Sequence, residues 1–177
     1  MRPILDFPDK SNRDLMPFDK VDSMPTASTH EVVIPSDTLA ARAIQMRIVE
    51  LLEELEYPTP DVMGVRLALE EVLMNAIKHG NRMDPAKVVR VQYQVSKDHV
   101  AIEVEDQGEG FIPENLPDPT LPENLERPGG RGVFLIQQFM SSVEYSSRGN
   151  LVRMKKVRSV AKGLARPAQT RLTPRPQ

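Results

Sequence analysis

Two stretches of the chain alternate apolar and polar residues without a break. They are Val89-Arg90-Val91-Gln92-Tyr93-Gln94-Val95 and Val100-Ala101-Ile102-Glu103-Val104-Glu105. A period of two is that of a strand with one buried face, and the turn-like Lys97-Asp98-His99 between them makes the pair a hairpin. Ahead of them the period changes. Ile44, Ile48, Leu51, Leu52 and Leu55 recur at helical spacing, with Ser36 as the expected N-cap and Pro58 ending the helix. Thr59 then serves as the expected N-cap of a second helix, with Pro60 in its first turn. Val62, Val65, Leu69, Val72 and Ala76 form its buried stripe, and Gly80 closes it. A third helix is predicted from about Gly132 to Met140. Shorter extended segments lie at Glu31–Pro35, Val143–Ser146 and Leu151–Lys155, the first an edge strand because Pro35 cannot donate to a ladder.

The resulting order, β-α-α-β-β-α-β-β, predicts an α+β fold. Short turns between consecutive strands favour a two-layer α/β sandwich: a mostly antiparallel sheet with its helices on one face. The domain spans residues 31–157. Residues 1–30 show neither period and read as a flexible N-terminal arm. Residues 111–128 form a long connection holding Pro113, Pro117, Pro119 and Pro122, a length that in a compact domain is usually functional. Residues 158–177 read as a basic disordered tail.

Composition narrows the classes. The chain of 177 residues has no cysteine, which excludes disulfides, thiol catalysis and thiolate metal sites. No apolar stretch approaches a membrane span, and the N-terminus carries no secretory pattern, so a soluble cytoplasmic protein is expected. Net charge is −2, which favours neither nucleic acid nor an acidic surface. Charge is uneven, however. From Tyr145 onward there are nine Lys or Arg residues and no acid. Such an end can meet nucleic acid or an acidic protein, but a solvated tail explains it as well, and no direct nucleic-acid binding is expected.

The candidate chemistry lies in three segments. In the second helix Glu71 and Asn75 stand one turn apart, with Lys78 at the next turn, expected on the side away from Leu69, Val72 and Ala76. This is either a solvated face or a pair aimed at one ligand. The carboxamide oxygen of Asn75 suits magnesium, and Glu71 can accept a proton. Asp106 falls in phase with Val100, Ile102 and Val104. It either opens a turn or presents a carboxylate on the core side, where a donor such as the adenine amino group would satisfy it. Gly108 and Gly110 follow and let a planar base lie close. Finally, Gly129-Gly130-Arg131-Gly132 leads straight into a helix, and glycines at a helix N-terminus expose N–H groups to an anion. A P-loop is excluded because Gly-Lys-Ser/Thr is missing.

Together, Glu71-x-x-x-Asn75, Asp106-x-Gly108-x-Gly110 and Gly130-Arg131-Gly132 resemble the N, G1 and G2 boxes of the GHKL (Bergerat-fold) ATPases. With Asn75-Ala76-Ile77-Lys78-His79-Gly80-Asn81 and Gly132-Val133-Phe134-Leu135-Ile136, the chain looks most like the anti-sigma factor serine-protein kinases. The resemblance implies ATP and Mg2+, with Glu71 as catalytic base, Asn75 as magnesium ligand and Asp106 as adenine reader. Lys78, His79, Gly108, Gly110, Gly129, Gly130, Arg131 and Gly132 would surround the nucleotide, and residues 111–128 would be its lid. Arg127 and Arg131 are both candidates for the γ-phosphate. Asn150 stands where the family often has threonine supporting the adenine aspartate. The implied activity is serine/threonine phosphorylation of a STAS-domain anti-sigma factor antagonist, alternating with sequestration of a sigma factor by a homodimer. An ATP-braced binding module without turnover would use the same motifs.

Overall fold

The computed structural model describes residues 28–110 and 131–160. Five strands, β1 (Thr29–Pro35), β2 (Val88–Val95), β3 (His99–Asp106), β4 (Ser142–Tyr145) and β5 (Leu151–Val157), form one sheet in the order β1-β2-β3-β5-β4. Every neighbouring pair is antiparallel. Three helices, α1 (Thr38–Glu54), α2 (Thr59–Met74) and α3 (Arg131–Phe139), complete an α+β sandwich, with α2 packed between the other two.

The alternation seen in the chain becomes register. Val91 faces Val104 across β2 and β3, and Val104 faces Val152 across β3 and β5. These valines, with Val89, Val100, Ile102 and Met154, meet Ile48 and Leu52 of α1 and Val65, Leu69 and Leu73 of α2 in one core. Each fully buried aliphatic side chain stabilises the fold by roughly 1.5–3 kcal/mol. The opposite face carries the polar phase: Glu31, Gln92, Glu103, Arg153 and Glu144 form one cross-strand rung, within which Arg153 Nε donates to Glu103 Oε2 at 3.1 Å.

Two helix starts differ from expectation. Asp37, not Ser36, caps α1: its Oδ1 accepts from Leu39 N and Ala40 N, both at 2.9 Å. Ser36 is buried one residue earlier, its hydroxyl accepting from Asn81 Nδ2 at 2.7 Å. Thr59 is already the first residue of α2. Pro58 holds the cap position with no side-chain bond, and Pro60 supplies the first-turn restriction.

The folded body also runs past Val157. Arg158 N donates to Asp98 O at 2.7 Å, and its guanidinium donates to the carbonyls of Leu55 at 3.1 Å and Glu56 at 2.7 Å. Ser159 then gives both its N–H (2.6 Å) and its hydroxyl (2.8 Å) to the carboxylate of Asp61, which Lys156 approaches to 3.3 Å. Asp61 lies in the first turn of α2 and is 1% exposed. Burial pushes its pKa up, but the Ser159 and Lys156 donors outweigh that and hold it below the ordinary aspartate value. The arm (residues 1–27), the connection 111–130 and the tail beyond Val160 lie outside the described residues.

Candidate functional site

The end of α2 is where the site begins. From Asn75 to Gly80 the helix continues with a wider π-helical turn, marked by Asn81 N donating to Ala76 O at 2.8 Å. Such turns cost regular bonding and collect at functional positions. Here the widening decides which side chains share a face. His79 reaches the cleft beside Glu71 and Asn75, while Lys78 is exposed and does not line it. Arg82 and Met83 then adopt left-handed φ values of 57° and 58°, turning the chain back toward β2.

Asn81 holds that reversal in place. It is completely buried, and its carboxamide joins three segments. Nδ2 donates to Ser36 Oγ and to Val88 O (2.9 Å), while Oδ1 accepts from Gln107 N at 2.8 Å. Gln107 answers by accepting from Val88 N at 2.9 Å. The loop after β3 is thereby tied to the end of the π turn. No local pattern in the sequence assigns Asn81 this role. A buried amide needs several partners, and the partners come from distant segments.

A cavity of about 510 Å³ runs along this helix. Val72 and Ala76 of the buried stripe line it together with Glu71 and Asn75. The polar pair therefore borders the stripe rather than lying on the opposite side as expected. Across from the pair stands Gly132, in the first turn of α3. A Cβ there would collide with Glu71 Oε2 and lie 3.6 Å from Asn75 Nδ2. The side chain of Arg131, together with Arg127, Gly129 and Gly130, lies outside the described residues.

The other end of the cavity is built on Asp106. Gly80 lies nine helical steps beyond Glu71, roughly 13 Å at the rise of an α-helix. Asp106 packs directly on Gly80, and a Cβ on Gly80 would run into its carboxylate. A Cβ on Gly108 would strike Gly80 O, and Gly110, at φ 83°, fits against Arg148 O. Asp106 Oδ1 accepts from Gly108 N at 2.7 Å. Asn150 does support Asp106, but through the main chain: its Nδ2 donates to Asp106 O at 3.0 Å, and Asp106 N donates to Asn150 O at 3.0 Å. Burial raises the Asp106 pKa to about 6, against the lowering pull of the Gly108 N–H, Lys87 and Arg148.

The donor set bears on magnesium. Among the described residues no group of three or more His, Asp or Glu side chains converges to cage an ion. Asn75 and Glu71 do face one end of the cleft, and this fits a cation held by one protein oxygen with substrate oxygens and water as its other ligands.

A two-layer fold with a cleft between α2, α3 and the β3 end, acid and amide at one extremity and a half-buried aspartate at the other, defines a nucleotide-binding domain of the GHKL type. The histidine kinase-like ATPase domain matches residues 34–156, and the chain belongs to that family. ATP is the nucleotide this family membership implies. The anti-sigma F factor of Clostridium perfringens is 31% identical over 112 residues, covering 59% of this chain and 79% of that one. The serine-protein kinase RsbW of Oceanobacillus iheyensis is 23% identical over 133 residues, covering 71% and 84%. Among solved structures, the RsbU and RsbW domains of Rv1364c from Mycobacterium tuberculosis superpose with a TM-score of 0.50 at 16% identity. That match covers 74% of this chain and 32% of the other, and speaks for the fold alone. No described helix is long and apolar enough to cross a membrane.

Proposed function

We propose that this chain is an ATP-dependent serine/threonine protein kinase that phosphorylates a STAS-domain anti-sigma factor antagonist and, in its other state, sequesters a sigma factor, acting as a homodimer. The observation that carries the reading is the single cleft in which Glu71 and Asn75 oppose the N-terminus of α3 while Asp106 closes the far end. The roughly 13 Å of helix between the two ends suits a nucleotide lying lengthwise, its base at Asp106 and its triphosphate toward Gly132.

In that pose Glu71 takes the proton from the partner's hydroxyl as its oxygen attacks the γ-phosphorus, and the bond from that phosphorus to the β–γ bridging oxygen breaks. Magnesium, held through Asn75, would neutralise charge on the phosphates. The N–H groups at the start of α3 would meet the same charge, with Arg127 or Arg131 as the arginine for the γ-phosphate. Catalysis of this kind is mostly positioning and electrostatics. The names of the two relatives, an anti-sigma factor and a serine-protein kinase, support this partner class.

The test is incubation with γ-labelled ATP, magnesium and purified STAS-domain proteins. Label on a partner serine or threonine, lost in Glu71→Gln, supports the kinase. A partner retained in a MgATP-dependent complex but never labelled would replace the kinase with an ATP-braced binding module.

A further inference from the structure

Tyr145 ends β4 on the same sheet face as the cleft floor. It pairs with Val152, which in turn pairs with Val104, and all three line the cavity. Neighbouring strands lie about 4.8 Å apart, so Tyr145 stands roughly 10 Å across the sheet from Val104. Asp106 is two residues along β3 from Val104, about 7 Å away and in the same phase. A purine resting on the Val104–Val152 floor with its amino group at Asp106 therefore has the phenol ring of Tyr145 along its far side.

Tyr145 is half-buried and packs against the hydrophobic core. Directly after it the β4–β5 turn is closed by Ser146 N donating to Leu151 O at 2.9 Å and Gly149 N donating to Ser146 O at 2.8 Å. The same turn carries Gly149 and Asn150, which also line the cavity, so Tyr145 and the support of Asp106 belong to one hairpin.

We propose that Tyr145 is the base-positioning residue of this site: its ring packs against the adenine and sets how far the base slides toward Asp106. The proposal rests on the assignment of the cleft to ATP. Burial pushes the phenol up to about 12, so near neutral pH it is uncharged and places no second anion beside the base. An aromatic ring against a purine adds affinity for the base itself, independent of the phosphates.

The chain is well suited to the test, because it has three tyrosines and no tryptophan. The other two are engaged elsewhere and do not line the cavity. Tyr57 donates to Ser96 O at 2.9 Å, and Tyr93 stacks on His30 with ring centroids 5.1 Å apart. Nucleotide titration of the wild type, read by tyrosine emission and by calorimetry, is compared with Tyr145→Phe, Tyr145→Ala, Tyr57→Phe and Tyr93→Phe. Binding should change the emission in every protein except the two Tyr145 variants. Tyr145→Ala should weaken ATP and ADP by the same factor, about tenfold, while Tyr145→Phe stays within about twofold because the ring is kept.

An emission change that persists in Tyr145→Phe overturns the proposal even if Tyr145→Ala does not fold. So does a loss that is larger for ATP than for ADP, which would place the residue at the phosphates. Calorimetric binding by the wild type with no emission change also removes Tyr145 from the base while leaving the ATP site standing. A wild type that binds no nucleotide by calorimetry overturns the site assignment itself, and this proposal with it.

Discussion

Gly132 rests directly on the carboxylate of Glu71: no atom fits between the Cα of the first and the Oε2 of the second, and a Cβ there would also lie 3.3 Å from Glu71 Cδ. The first turn of α3 and the acid of α2 are thus in direct contact, with no room for a side chain between them. Gly132→Ala must displace Glu71 while leaving both helices able to form. Transfer of phosphate to a partner should fall roughly hundredfold, the scale of a misplacement of about 1 Å. Glu71→Gln keeps the shape and removes the proposed base, so the transfer rate should fall by about 10²–10⁴ with nucleotide affinity little changed. Single-turnover labelling beside calorimetric titration separates the two. Normal transfer by Glu71→Gln would remove the base assignment.

Asn75 supplies a neutral oxygen at the same end of the cleft. Asn75→Ala should abolish most of the difference between nucleotide affinity with magnesium and with chelator, while the metal-free affinity stays close to that of the wild type. Paired titrations check this. An unchanged magnesium dependence would move the metal elsewhere.

Asp106 links pH to binding and to folding with opposite signs. Its folded pKa, about 6, lies above the ordinary value of 3.8 because of burial. Between those values the folded chain keeps a proton that the unfolded chain has released. The stability this adds is complete below 3.8 and is lost as pH rises through 6. On the proposed placement of the base the adenine amino group needs the ionised acceptor, so ATP affinity should instead fall as pH drops below 6, by up to about tenfold per unit. Asp106→Asn should flatten both profiles. Titrations and melting curves between pH 4.5 and 7.5 would show it, and an ATP affinity that is level across that range would take the base away from Asp106.

Asn81 is fully buried and makes three side-chain hydrogen bonds, and it is not itself a lining residue of the cavity. Asn81→Ala leaves Ser36 Oγ, Val88 O and Gln107 N to find other partners, at about 2–4 kcal/mol of stability. Denaturant melts measure that loss. A change below about 0.5 kcal/mol would show that water replaces the carboxamide without penalty.

The sheet was legible from periodicity because its two faces differ so sharply. Val91, Val104 and Val152 alternate with Arg90, Glu103 and Arg153, and a slip of one residue would exchange them. Strand ends came within two residues of the structure. Local geometry was less legible. Ser36 and Asp37 are both good caps by residue type, and the choice between them is made by Asn81, forty-five residues away. Lys78 falls on the expected side of an ideal α-helix, but the π turn after Met74 brings His79 to the cleft instead. In the sequence Gly80 signals a helix stop. Its second task, making room for Asp106, is a contact between distant segments that no local pattern reveals. The predicted lid, 111–128, falls outside the described residues.

One attachment ties the far end of the chain to the helix that bears Glu71 and Asn75. Asp61, in the first turn of α2, is almost wholly enclosed and draws three of its donors from Lys156 and Ser159. A chain cut after Val157 would keep all five strands yet strip that carboxylate of two donors, leaving Lys156 alone to hold the first turn of α2 at the end opposite Glu71 and Asn75. The basic extension therefore starts inside the architecture rather than after it, and its first residues, Arg158 and Ser159, are fastened to the same body as the helix that bears Glu71 and Asn75.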